Sequence, residues 1–89
     1  MKMDDPKKAV AIKYNREKDR APKVLAKGRN AVAERIIELA KDSNVPVYPD
    51  KDLAQVLETL DLNYEIPPEL YRAVAEVLVF IYSINGKLK

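Results

Sequence analysis

The stretch Pro22-Lys23-Val24-Leu25-Ala26-Lys27-Gly28-Arg29-Asn30 decides the fold class. Pro22 to Ala26 reads as a short strand. Lys27-Gly28-Arg29-Asn30 reads as a turn into a helix, with Asn30 as an N-cap whose side-chain oxygen can accept an early helix N–H. Beyond it, Ala33, Ile36, Ile37 and Ala40 recur at helical spacing, with Glu34, Arg35, Glu38 and Lys41 on the other side. A strand that runs straight into an amphipathic helix points to a mixed α/β domain.

Upstream, Val10, Ile12 and Tyr14 alternate with small or polar residues, the pattern of a strand with one buried face. The charged run from Asn15 to Ala21 is the loop that would join the two strands into a hairpin. Downstream, Asp42-Ser43-Asn44 ends the helix. Val45-Pro46-Val47-Tyr48 then reads as a third strand, at an edge because Pro46 cannot donate a ladder bond. A strand directly after an amphipathic helix suggests a βαβ crossover and one parallel pair. Asp50 or Asp52 caps a second helix carrying Leu53, Val56, Leu57 and Leu60. Leu62 to Ile66 is a loop with room for a very short strand. Pro67-Pro68-Glu69 opens the last helix, where proline and an acid both suit the first turn. Its apolar stripe is Leu70, Val74, Val77, Leu78, Ile81 and Ile84, slimmed by Ala73 and Ala75, and Asn85-Gly86 ends it. The expectation is an α/β domain: a small mixed β-sheet of about four strands surrounded by helices.

At 89 residues the chain suits one small domain with a limited core. Residues 1–8 read as a flexible N-terminal segment, 9–85 as the domain and 86–89 as a tail. Cysteine and histidine are both absent. Disulfides and thiolate metal sites are therefore excluded, and the commonest general base and nitrogen metal ligand are missing. No cofactor is implied. The charge is +2, from 16 Lys+Arg and 14 Asp+Glu. That balance predicts no nucleic-acid binding, which needs a concentrated basic face. Lys7, Lys8, Lys13, Arg16, Lys18, Arg20, Lys23, Lys27 and Arg29 make a local basic bias. Glu17 and Asp19 interrupt it, so a solvated hairpin surface explains it better. The longest apolar run, Val77-Leu78-Val79-Phe80-Ile81-Tyr82, is far short of the roughly 20 residues of a membrane span. The N-terminal residues do not resemble a signal peptide. No direct membrane insertion is expected.

Three chemical readings compete with plainer ones. Lys27-Gly28 before a helix invites a phosphate site, but one Gly and one Lys more often make a strand-to-helix turn. Asp50 and Asp52 invite a cation site, but helix capping needs the same residues. The five tyrosines, Tyr14, Tyr48, Tyr64, Tyr71 and Tyr82, are spread over several elements without a strand-borne pair for base stacking.

Several segments, in order, carry a resemblance. They are Ala9 to Tyr14, Ala21-Pro22-Lys23-Val24-Leu25-Ala26-Lys27-Gly28, Ala33-Glu34-Arg35-Ile36, Val45-Pro46-Val47, Asp52-Leu53-Ala54, and Glu65 to Leu78. Together they resemble the cytoplasmic C-terminal domain of the export-switch family of FlhB, YscU, SpaS and EscU, from about residue 9 to residue 84. The resemblance implies a component of flagellar or type III protein export. Family members carry four membrane helices ahead of this domain. They cleave themselves between Asn and Pro of an Asn-Pro-Thr-His motif, the Asn side-chain amide attacking its own main-chain carbonyl to give a succinimide. Here the matching place reads Asp4-Asp5-Pro6. Ungapped alignment puts Asp4 over the Asn, and a one-residue slip puts Asp5-Pro6 over the Asn-Pro pair. In either register the amide nucleophile is missing, and the chain is expected not to cleave itself and not to be an enzyme. The divergent residues after Met1 fit a short paralogue of the family better than a fragment.

The resemblance also implies a recognition patch for early export substrates. Carried over residue by residue, it falls on Ala21, Pro22, Ala75 and Leu78. The plainer reading makes Ala75 and Leu78 core residues of an amphipathic helix. The expected role is a monomeric cytoplasmic module, peripheral to the membrane export apparatus. It would bind export-gate proteins or early export substrates and replace the cleaved C-terminal piece of a full-length exporter. The alternative is an interaction module for another flagellar regulator, such as a hook-length ruler, outside the gate.

Overall fold

Alternation of apolar residues builds a hairpin. In the computed structural model, which describes residues 6–15 and 17–84, β1 (Lys8–Lys13) pairs antiparallel with β2 (Lys23–Arg29). The helices are α1 (Ala31–Asp42), α2 (Lys51–Leu57) and α3 (Tyr71–Ile84), the last entered through one tight turn at Pro68–Leu70. The expected helix stop at Asn85-Gly86 and the expected tail lie outside the described residues, as do residues 1–5.

The two faces of the hairpin differ by residue size. Ala9 pairs with Gly28 and Ala11 with Ala26, a face of small side chains. Small side chains let α1 approach closely, and its Ala33 is fully buried. Gly28 is needed there: a Cβ at this position would stand 2.1 Å from Val32 Cγ1 and 2.7 Å from Val32 Cβ. The other face carries Val10, Ile12 and Val24. A bulge between Ala11 and Ile12 brings Ile12 opposite Val24 and leaves Leu25 unpaired and exposed. On this side Val24, Leu57, Ile66 and Val74 form the core, supported by Val10, Ile12, Leu53, Leu60, Leu70 and Leu78. A lone two-stranded sheet is marginal in water, so the helices on its two faces stabilise it.

The described residues contain two strands in one sheet, not about four. Val45-Pro46-Val47-Tyr48 forms no strand, and there is no parallel crossover among the described residues. The cause is the way α1 ends. Asn44 takes a positive φ of 60°. Its N–H donates to Lys41 O at 3.2 Å, and the Val45 N–H donates back to Ala40 O at 2.8 Å. This pair of bonds closes the helix C-terminus. Val45 has thus spent its donor and Pro46 has none, so the segment cannot supply a ladder. It packs instead through Tyr48, whose ring meets Phe80 of α3 edge-on at 4.9 Å. The short strand expected in the 62–66 loop is a single bridge, Glu65 to Lys23.

The turn is tighter than its sequence suggests. Lys27, Gly28 and Arg29 belong to β2, and the reversal is compressed into Asn30 at φ 54°, ψ −117°. Asn30 occupies the N-cap position but its side chain caps nothing in the helix. Its amide oxygen instead accepts from the Lys7 N–H at 3.3 Å, and its own N–H donates to Lys7 O at 2.8 Å. Asp50 does cap α2, accepting from the Leu53 N–H at 3.0 Å, which assigns that aspartate to capping.

Candidate functional site

The entry to β2 and the first half of α3 form a groove. Tyr71, Val74, Ala75 and Leu78 lie three or four residues apart and so share one stripe of α3. Tyr14 follows β1, and Arg20 and Pro22 lead into β2. These seven residues line a shallow cavity of about 250 Å³. Val74 is buried beneath it and Ala75 is exposed. Leu78 is half-buried and also packs against the core.

Backbone hydrogen bonds fix the β2 side of the groove. Ile66 N–H donates to Pro22 O at 2.8 Å, Val24 N–H to Tyr64 O at 3.2 Å and Asn63 N–H to Val24 O at 2.7 Å. Asn63 turns this loop at φ 66°, a conformation asparagine tolerates well. Arg20 bonds Glu65 through one guanidinium nitrogen at 3.1 Å. A second, open concavity of about 470 Å³ adjoins across Ala75, lined by Arg72, Ala75, Glu76 and Val79.

Of the four patch residues expected from sequence, Pro22, Ala75 and Leu78 line the groove together. Ala21 is only 2% exposed; it is buried beside Pro22 and is not part of the lining. Leu78 serves the groove and the core at once, so neither simple reading of it suffices. Tyr14, Arg20 and Tyr71 also line the groove but were absent from the sequence expectation. Tyr71 was within reach of it, one turn before Ala75 on the same stripe. Asp4 and Asp5 of the altered cleavage region lie outside the described residues; Pro6 is exposed.

The charged residues around the β2–α1 turn are occupied structurally. Lys27 Nζ donates to Glu58 O at 2.9 Å and to Leu60 O, closing the C-terminal end of α2. This contact opposes the phosphate reading of Lys27-Gly28. The Glu58 carboxylate takes a two-pronged pair from Arg29, at 2.7 and 3.0 Å, and a contact from Lys8 at 3.5 Å. Arg29's hydrogen bonds hold the Glu58 carboxyl below its usual range. Partial burial opposes the shift, and the positive charges of Arg29 and Lys8 reinforce it.

Among the described residues, no helix is long and apolar enough to cross a membrane. The model of the FlhB HrpN YscU SpaS Family matches residues 5–81. The uncharacterized protein YlqH of Bacillus subtilis is 41% identical over the whole of this chain and 97% of its own length. The flagellar biosynthetic protein FlhB of Aquifex aeolicus is 42% identical over 90% of this chain, which spans only 23% of that protein. The crystal structure of the cytoplasmic domain of FlhB from Shewanella putrefaciens superposes with a TM-score of 0.81 at 35% identity. That match covers 91% of this chain and 67% of the other.

Proposed function

The chain belongs to the FlhB HrpN YscU SpaS family, and from that premise we propose that it is a non-catalytic recognition module of flagellar or type III protein export. It binds early export substrates or export-gate proteins and occupies the place of the cleaved C-terminal piece of a full-length exporter. The observation that carries this reading is the convergence of Pro22, Ala75 and Leu78 on one groove. Pro22 lies more than fifty positions before Ala75 and Leu78 in the chain, yet the fold brings it to them, together with two tyrosines. The outer edge of β1 adds a second contact surface. It has no strand neighbour among the described residues, so its backbone can pair with an extended segment of the gate protein. Loss of self-cleavage follows from Asp4-Asp5-Pro6, which lacks the attacking amide.

The test is capture on the immobilised protein. The cytoplasmic domain of a full-length exporter and early flagellar substrates are passed over it. Leu78→Asp should abolish substrate capture. Because Leu78 also packs against the core, Ala75→Asp is the companion variant: Ala75 is exposed, so this protein should still melt cooperatively while capture is lost. The reading fails if the wild type captures neither partner, or if a folded Ala75→Asp protein captures both as well as the wild type does.

A further inference from the structure

We propose that Lys13 and Lys23, at the loop end of the hairpin, form a docking point for an acidic protein segment that presents two neighbouring carboxylates. Neither lysine lines the groove. The surface is therefore additional to the groove and stands whether or not the groove binds.

The fold sorts the cations of the N-terminal basic bias into two groups. Lys7 pairs with Glu34, Lys8 and Arg29 with Glu58, and Arg20 with Glu65. Lys27 donates to two carbonyls, and Arg16 lies outside the described residues. Lys13, Lys18 and Lys23 remain, with no ion pair or side-chain hydrogen bond among the described residues. Lys18 stands in the loop that joins the strands, whereas Lys13 and Lys23 are direct partners across the antiparallel pair. Like charges at directly opposite positions, about 5 Å apart at Cβ, repel each other and weaken a sheet. Glu65 faces Lys23 across the single bridge on its other flank, but its carboxylate is held by Arg20. The repulsion is thus left uncompensated within the fold, the kind of local conflict that marks a functional position.

Direct partners share a face, and alternation along the strands puts both lysines opposite the Val10, Ile12 and Val24 face that meets the core. Lys13 is exposed and Lys23 half-buried, so neither is sealed in the fold. Two ammonium groups with three N–H donors each suit two carboxylates held side by side. The patch is too small for other polyanions. A membrane surface is recognised by clusters of about four to eight Lys or Arg, and nucleic acid needs a basic stripe. Here the free lysines are interleaved with Glu17, Asp19 and Glu65, which repel an extended polyanion and leave room for a short acidic segment.

The test is a titration of isotope-labelled protein at low salt, read by amide chemical shifts. The probes are a Ser-Gly peptide with two adjacent Glu residues, the same peptide with Gln for Glu, phosphatidylglycerol vesicles and a single-stranded oligonucleotide. The Glu peptide should shift the amides of Lys13 and Lys23 and bind about tenfold more tightly than the Gln peptide. Lys23→Gln should erase that difference. Lys13→Glu should erase it too, and should raise the melting temperature by roughly 2–6 °C, because a repelling pair becomes an attracting one. The rise should shrink in high salt. A variant that binds less yet melts higher has not lost binding through unfolding. Ala75→Asp, which alters the groove, should leave peptide binding unchanged. The proposal is overturned if the Gln peptide binds as tightly as the Glu peptide, or if Lys13→Glu melts no higher than the wild type. It is equally overturned if peptide binding depends on Ala75, or if vesicles or the oligonucleotide bind through Lys23 more tightly than the Glu peptide does.

Discussion

Replacing Gly28 by alanine tests how closely α1 is seated on the hairpin. The added methyl would meet Val32 Cγ1 at 2.1 Å and Val32 Cβ at 2.7 Å. Val32 is 55% exposed, so its Cγ1 has space to swing away. That rotation is disfavoured, because valine in a helix keeps almost one χ1 rotamer. It also leaves the Cβ contact untouched, since Cβ is fixed by the helix backbone. Relief therefore requires the first turn of α1 to lift from β2, loosening the contact that buries Ala33. Overpacking of this kind costs about 1–3 kcal/mol. Alanine in place of glycine returns about 0.4–1 kcal/mol by restricting the unfolded chain. The net expectation is a loss of about 1–2 kcal/mol, which lowers the melting temperature by roughly 5–15 °C in a domain of this size. Urea titration and thermal melting followed by circular dichroism both read it. Combining Gly28→Ala with Val32→Ala removes the closer clash and should recover part, not all, of the loss. A single variant as stable as the wild type or more so would show that α1 has slack, and would remove the stated reason for glycine at this position.

Three further outcomes are expected. Lys27→Met strips the donor from the Glu58 and Leu60 carbonyls and should cost about 1–3 kcal/mol in urea unfolding; an unchanged midpoint would mean that water replaces the amine without penalty. Glu58 has its folded-state pKa depressed, chiefly by Arg29, so it contributes stability above the ordinary glutamate range. That contribution is lost as pH falls through the ordinary value towards the lower folded one, and Glu58→Gln should flatten this acid limb of the stability profile; a variant with the wild-type slope would refute it. Finally, long incubation at neutral pH should leave one intact chain on a denaturing gel, and a fragment beginning at Pro6 would show that self-cleavage survives without the amide.

Local chemistry is what the sequence displayed most clearly. Alternation at Val10, Ile12 and Tyr14 located β1, which ends one residue before Tyr14, the Ala33–Ala40 periodicity located α1, and the cap of α2 was legible as Asp50 or Asp52, the fold choosing Asp50. What escaped depended on single dihedrals or on distant partners. Val45-Pro46-Val47-Tyr48 has strand composition, yet the positive φ of Asn44 turns the Val45 N–H back onto α1. Lys27 looked available for an anion because its acceptors, Glu58 and Leu60, are more than thirty residues along the chain. Glu58 stood out in no pattern, since its role comes from Arg29 and Lys8 on two different strands. In the groove, Pro22, Ala75 and Leu78 were reached through family resemblance. Tyr14 and Arg20 were missed because only the tertiary fold brings them to α3.

The groove cannot be separated from the core, and this sets how it can be probed. Val74 is a core residue at 2% exposure and also lines the groove; Leu78 packs against the same cluster. Pro22 is held through Ile66, which is itself fully buried. Part of the groove, at Val74 and Leu78, is thus the core seen from outside, and a packed core resists small displacements. Such a surface is pre-organised, so a bound segment pays little to order it. The same coupling means that loss of binding in a Val74 or Leu78 variant is ambiguous unless the fold is shown intact. Ala75, Tyr71 and Arg20 do not share that ambiguity, because all three are exposed and none is a core residue. Affinity changes at these three positions report on recognition, and stability changes at Val74 report on the scaffold that shapes it.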